Sequence, residues 1–156
     1  MTSQATDDAI RAVRALHGDL LEAWNRSDAH AFATLFKTKC VCVGFDGSEY
    51  TSAAEIESSL KAIFKDHQVA RYVRIVRDVR QIAAGTLLLR AVAGMVPPGS
   101  HEIKPERNAV QLLVASNDSG SWKIASYQNT PAQYDGRPEM SEALTKELTR
   151  ELEKSR

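Results

Sequence analysis

TLLLRAVAGMV (Thr86–Val96), NAVQLLVAS (Asn108–Ser116) and WKIASYQNT (Trp122–Thr130) are three apolar runs of strand length within one stretch of chain. The first ends abruptly at Pro97-Pro98-Gly99, where proline removes a ladder donor and glycine starts a turn. Asn117-Asp118-Ser119-Gly120 is a turn of the kind that joins adjacent antiparallel strands, and Pro131 halts the last run. Together they predict a meander of long strands. Thr86–Val96 and Asn108–Ser116 are apolar on both alternating faces, whereas a one-sided sheet alternates apolar with polar residues. The second face is therefore expected to be covered, and a symmetric partner subunit is the simplest cover. A homodimer formed through the sheet is the expected assembly.

The chain before this meander is helical in pattern. Over residues 7–26, Ile10, Val13, Leu16, Leu20, Leu21 and Trp24 recur at three- and four-residue spacing, a single buried stripe. Thr6 or Asp7 is the expected cap, with Asp7 and Asp8 in the first turn. Ser27-Asp28 breaks the pattern and begins a short helix over Ala29–Phe36. Cys40–Phe45 reads as a strand and Asp46-Gly47 as a turn. Thr51 or Ser52 then caps a third helix, Ala53–Phe64, with Ile56, Leu60, Ile63 and Phe64 inward. At the far end, Pro138 opens a helix over Arg137–Arg156, whose Met140, Leu144, Leu148 and Leu152 form a narrow stripe. Such a helix is marginal alone and needs a surface to dock on. Helices followed by antiparallel strands are an α+β order, expected as one domain over residues 1–136 plus a docking helix over 137–156.

Composition excludes several classes. The 156 residues include 20 basic and 20 acidic side chains, a formal net charge of zero, with 43% apolar residues. A nucleic-acid binder or membrane-surface protein carries a basic excess, and a disordered chain is less apolar. No uncharged run approaches the ~20 residues that span a bilayer. The first residues carry early acids and do not read as a signal peptide. A soluble, cytoplasmic protein with neither nucleic-acid nor membrane partners is expected. Two cysteines, Cys40 and Cys42, do not make a disulfide scaffold. Lying two apart on one strand, they read as small core or cavity residues rather than a metal or redox pair. No histidine or carboxylate spacing matches a metal ligand set, no glycine-rich dinucleotide fingerprint follows a strand, and no cofactor is expected.

Several stretches resemble a known superfamily. Ala23-Trp24-Asn25-Arg26-Ser27-Asp28-Ala29, Leu35-Phe36 and Gly44-Phe45-Asp46-Gly47-Ser48 are similar to the nuclear-transport-factor-two-like, or SnoaL-like, proteins. Arg90–Gly99, Asn108-Ala109-Val110-Gln111, Trp122-Lys123-Ile124-Ala125, Gln128-Asn129-Thr130-Pro131 and Gly136-Arg137-Pro138-Glu139 resemble its SgcJ/EcaC-type subgroup. The resemblance implies a cone: three N-terminal helices packed on a strongly curved, mostly antiparallel sheet, with a cavity between them and a C-terminal helix beyond. It also settles Val69–Ala83. The apolar residues there fit a helical stripe, with Arg71, Arg74, Arg77 and Arg80 forming a solvated one, but the resemblance makes the segment a strand.

The superfamily includes cofactor-free isomerases, dehydratases and polyketide cyclases as well as noncatalytic binding and assembly modules. The subgroup resembles accessory proteins of enediyne and other polyketide pathways. Two readings follow: a pocket for a polyketide-type small molecule, with isomerase-, cyclase- or dehydratase-like chemistry, or a noncatalytic dimeric module that assists a polyketide synthase. Enzymatic relatives use a carboxylate or a His–Asp pair inside the cone. Here Lys37-Thr38-Lys39-Cys40 is basic where an acid often stands, which weakens a general-base role.

Candidate pocket residues are Trp24, Phe45, His67, Tyr72, Arg90, Asn108, Gln111, Gln128 and Asn129. Amides inside apolar strands are informative because a buried polar group is costly unless satisfied. Either a subset of the four lines a cavity and binds a carbonyl-bearing ligand, or they satisfy one another. By alternation Gln111 shares a face with Ala109 and Leu113, and Asn108 points the other way. Arg90 either pairs with Asp78 across strands or anchors an anionic group. His67 is a helix-end cap or, near the cone mouth, a general acid/base. His17, His30 and His101 read as solvated. Trp24, Phe32, Phe36, Phe45, Tyr50 and Tyr72 weigh more heavily as core than as pocket.

Overall fold

The computed structural model describes residues 3–155. Helices α1 (Ser3–Asn25) and α2 (Ala29–Thr34) are followed by strands β1 (Phe36–Val43) and β2 (Glu49–Ser52) and helix α3 (Ala53–Asp66). Strands β3 (Arg71–Ala83), β4 (Thr86–Val96), β5 (Ala109–Asn117) and β6 (Trp122–Pro131) and helix α4 (Pro138–Lys154) follow, with a 3-10 turn at Pro105–Arg107 between β4 and β5. One six-stranded sheet has the order β2-β1-β6-β5-β4-β3. It is antiparallel except where β1 runs parallel to β6. Register shifts in β1, in β3 at Val76/Asp78 and in β5–β6 at Val114/Ala115 bend it. The α+β architecture with a curved sheet is the expected one.

The local chemistry explains the elements. Asp28 caps α2 by accepting the Ala31 N–H at 2.9 Å. A reciprocal box starts α3: Ser52 Oγ accepts from Glu55 N at 3.1 Å, and Glu55 Oε2 accepts from Thr51 N at 2.8 Å. Residues 71–83 are a strand because their full length pairs with β4, where β-branched side chains fit the pleat. Helical periodicity was the weaker signal there.

Two layers of core result. Helices α1–α3 roof the inner sheet face over Val13, Leu20, Ile56, Leu89, Leu113 and Ile124. On the outer face α4 lays Leu144, Leu148 and Leu152 against Val92, Val96 and Ile103. Gly94 makes this approach close: a Cβ there would stand 3.0 Å from Leu148 Cδ1. The second apolar face of β4 is thus covered by the chain's own tail helix, not by the partner subunit that the pattern suggested.

Other expectations need correction. Helix α1 begins at Ser3, so Thr6 and Asp7 do not cap it, and Asp8 instead bonds Gln4 and Arg11 within the helix. Helix α2 ends at Thr34 and β1 begins at Phe36, because Ile124 N–H bonds Leu35 C=O (2.8 Å) and pulls the chain into parallel pairing with β6. The β2 strand went unrecognised; it is four residues long and alternates only weakly. The arginines of β3 do not share a solvated stripe. Arg74 points under α1, Arg77 pairs with Glu147 of α4, and Arg80 with Asp78 at 2.9 Å. No helix among the described residues is long and apolar enough to cross a membrane.

Candidate functional site

A cavity of about 500 Å³ opens between the helices and the inner face of the sheet. Its walls are largely apolar: Trp24 from α1, Phe32 from α2, Ile56, Leu60 and Ile63 from α3, and Met95 from β4. Its polar groups gather where β3 and β6 enter, at Tyr72, Tyr127 and Asn129. Asp46, Ser48 and Arg107 stand on the rim, with the Arg107 guanidinium 5.2 Å from the Phe45 ring centroid. Volume and lining are those of a small-molecule site.

Tyr72 is held from both sides. Asn25, at the end of α1, accepts the Tyr72 N–H at 2.7 Å and donates to its C=O at 3.2 Å. Trp24 donates to Ala70 C=O at 2.9 Å and lies 5.7 Å from the Tyr72 ring. Asn129 donates to the Tyr72 hydroxyl oxygen at 3.0 Å. Behind Asn129, Gln111 donates to its Oδ1 at 3.3 Å, and His17 Nε2 lies 2.8 Å from Gln111 Oε1. His17 Nδ1 is 3.0 Å from Arg74 Nη1.

The ionisable groups around the cavity are mostly neutral. Burial pushes the Tyr72 phenol up to about 12 and that of Tyr127 well above the usual range. Burial likewise moves the Cys42 thiol up to about 12, so it lines the cavity as a thiol and not a nucleophilic thiolate. Asp46 is the one carboxylate of the lining among the described residues. It is exposed, and the Ser48 N–H it accepts holds its carboxyl below the usual range, which makes it a weak base. The cavity offers neutral hydrogen-bond donors in apolar walls rather than a poised acid–base pair.

Of the nine candidates, Trp24, Phe45, Tyr72 and Asn129 line this cavity. Gln111 is fully buried one layer behind it. The other four do not reach it. Asn108 lies on the outer face and donates to Thr145 of α4 at 2.9 Å, the face that alternation assigned it. Gln128 is exposed beside Leu112. Arg90 is exposed and pairs with Asp78 at 3.4 Å. His67 caps α3 through its backbone N–H, outside the lining.

His17 reverses its reading. It is 0% exposed, because it follows Val13 by four residues and precedes Leu20 by three, on the apolar stripe itself. Trp24, Phe32, Phe45, Tyr50 and Tyr72 all belong to the lining, and only Phe36 of the six aromatics stays wholly in the core. Tyr127 was missed although alternation along β6 puts it on the same face as Asn129. Arg107 was missed because it sits in a loop turn that carries no periodic signal.

Residues 13–132 match the SnoaL-like domain family, and the chain belongs to it. Among solved structures, it is similar to a domain of unknown function with a cystatin-like fold from Nostoc punctiforme PCC 73102. The two are 24% identical, with 91% of this chain and 86% of that one covered and a TM-score of 0.77. A ketosteroid isomerase-like protein from Erwinia carotovora atroseptica SCRI1043 is 17% identical, covering 80% of this chain and 96% of its own, with a TM-score of 0.63. A nuclear-transport-factor-2-like protein of unknown function from Shewanella oneidensis MR-1 is 13% identical over 77% and 97% of the two chains, with a TM-score of 0.64. At these identities the likeness is one of fold. No curated protein matches the sequence.

Proposed function

We propose that the cone binds a small, largely apolar molecule of polyketide type that carries at least one oxygen. The observation that carries this reading is the cavity of about 500 Å³ with apolar walls and the Tyr72–Asn129 pair at its polar end. Membership of the SnoaL-like family supports a ligand-binding or isomerase-like role, and so does the name of the Erwinia relative. The polyketide class and the tie to natural-product accessory proteins rest on the resemblance of Arg90–Gly99 and Gln128–Pro131. Binding is favoured over turnover, because the lining offers donors but only a weak, exposed carboxylate. Native mass spectrometry of protein purified from its own host tests this directly. A retained small molecule, lost when Ile63→Trp fills the cavity, is the expected result. A protein that comes out empty and binds no aromatic probe overturns it.

A second reading concerns the outer sheet face. Val41, Val110 and Leu112 are 41%, 42% and 43% exposed there, on strands that α4 leaves bare. A second copy of this chain is the proposed occupant.

A further inference from the structure

We infer that a one-way hydrogen-bond relay, from Arg74 through His17, Gln111 and Asn129 to Tyr72, fixes the Tyr72 hydroxyl as a donor into the cavity, so that the ligand group seated against it is an acceptor oxygen. This deepens the proposed binding role and rests on it. The direction follows from the residue types. A guanidinium has only donors, so at the 3.0 Å contact Arg74 Nη1 donates and His17 Nδ1 accepts. A neutral imidazole has one N–H, which must then be on Nε2 and point to Gln111 Oε1, 2.8 Å away. That orients the Gln111 amide: its NH2 faces Asn129 Oδ1 at 3.3 Å. Asn129 is oriented in turn, with Nδ2 donating to the Tyr72 hydroxyl oxygen at 3.0 Å. The amide rotamers, which sequence and size leave ambiguous, are decided by the cation at the far end.

The phenol oxygen is thereby used as an acceptor, and its hydrogen is left for the cavity that Tyr72 lines. A carbonyl or enol(ate) oxygen accepts it. The surroundings preserve the direction. His17 is fully buried, which pushes its pKa down to about 4 and keeps the ring neutral. Arg74 is anchored by a second bond to Arg14 C=O at 3.1 Å and lies over Gly18, where a Cβ would be 3.0 Å from Nη2. Tyr127 lies on the same cavity, nine-tenths buried, and its hydroxyl has no hydrogen-bond partner among the described residues.

The test uses a matched pair of probes, 2-acetylnaphthalene and 2-ethylnaphthalene, which differ by the ketone oxygen. Binding is read by Trp24 fluorescence and by the carbonyl stretch of the bound ketone. The wild-type protein is expected to bind the ketone about tenfold more tightly, the effect of one net hydrogen bond, with the stretch moved to lower frequency. Tyr72→Phe abolishes both effects and leaves 2-ethylnaphthalene affinity within about twofold. Gln111→Glu is the decisive variant. An acceptor-only side chain there turns the Asn129 amide over and makes Tyr72 donate to Asn129, so the ketone preference disappears although Tyr72 is intact. Asn129→Asp reverses the last link in the same way, should Gln111→Glu not fold. His17→Gln, which accepts from Arg74 and donates to Gln111, keeps the preference. Equal wild-type affinity for both probes overturns the relay and leaves the cavity reading standing. A folded Gln111→Glu or Asn129→Asp protein that still prefers the ketone also overturns it. Binding of neither probe overturns the cavity reading, and the relay with it.

Discussion

His17 is the residue on which burial and protonation meet. It sits on the buried face of α1 at 0% exposure, and desolvation moves its pKa from the ordinary 6.5 down to about 4, with Arg74 adding to the shift and the Gln111 bond opposing it. The sign follows by linkage. Above about pH 6.5 the ring is neutral in both folded and unfolded chains, and its protonation does not affect stability. As the pH falls from 6.5 towards 4, the unfolded chain binds a proton that the folded one refuses, and folding stability falls. Across that window the loss amounts to about 3 kcal/mol. Urea denaturation at pH 7 and pH 4 reads it as the difference between the wild type and His17→Gln, which has no titrating ring. The two proteins losing equal stability would contradict the assignment. The spacing of Val13, Leu20 and Leu21 already places His17 on the buried stripe. What the sequence lacks is its partner, since Arg74 lies on a strand 57 residues away.

At the scale of elements, α4 shows which patterns are legible. Its leucine stripe at four-residue spacing, Leu144, Leu148 and Leu152, predicts both the helix and a docking face, and those three residues are the buried ones. Met140, included in the stripe, is 41% exposed. Where the helix docks was not legible, because both faces of β4 are apolar and nothing local distinguishes a covering helix from a covering subunit. Gly94 holds the answer in retrospect: a residue without Cβ in mid-strand marks a close approach. Leu148 fills that site and is fully buried. Leu148→Ala is expected to cost about 3 kcal/mol, the typical effect of a large buried truncation plus its cavity. A chemical-denaturation change below about 1 kcal/mol would mean that α4 merely rests on the sheet. The strand β3 is the opposite case: its arginines at three-residue spacing mimic a helical face, and only pairing with β4 makes the β-branched residues between them decisive. Of the cavity, Trp24, Phe45, Tyr72 and Asn129 were legible as candidates, although the aromatics weighed more heavily as core; Asn108 and Gln128 do not reach it, and Arg107, which a short turn supplies, carried no signal.

For the whole molecule, the two sheet faces divide two roles. The inner face carries the cavity and the relay. The outer face carries α4 over β3 and β4 and leaves Val41, Val110 and Leu112 exposed over β1 and β5. Alternation forces this arrangement. Ala109, Gln111 and Leu113 are buried inward, so Val110 and Leu112 must face out. A two-fold axis through this face would bury these three side chains against a second copy of the chain, the proposed occupant. With the chain's net charge of zero, no long-range repulsion opposes that pairing. Sedimentation velocity at about 50 μM is expected to show a dimer, and Leu112→Lys to show a monomer. The thermal midpoint of that monomer should fall only by the dimer's linkage contribution, since Leu112 is already half exposed in the single chain. Because the patch and the cavity lie on opposite faces, Leu112→Lys should bind 2-acetylnaphthalene as the wild type does. A wild-type protein that sediments as a monomer removes the dimer and leaves the cavity reading untouched. A Leu112→Lys monomer that no longer binds the ketone would mean that the partner subunit completes the site, and that the two faces are not separate.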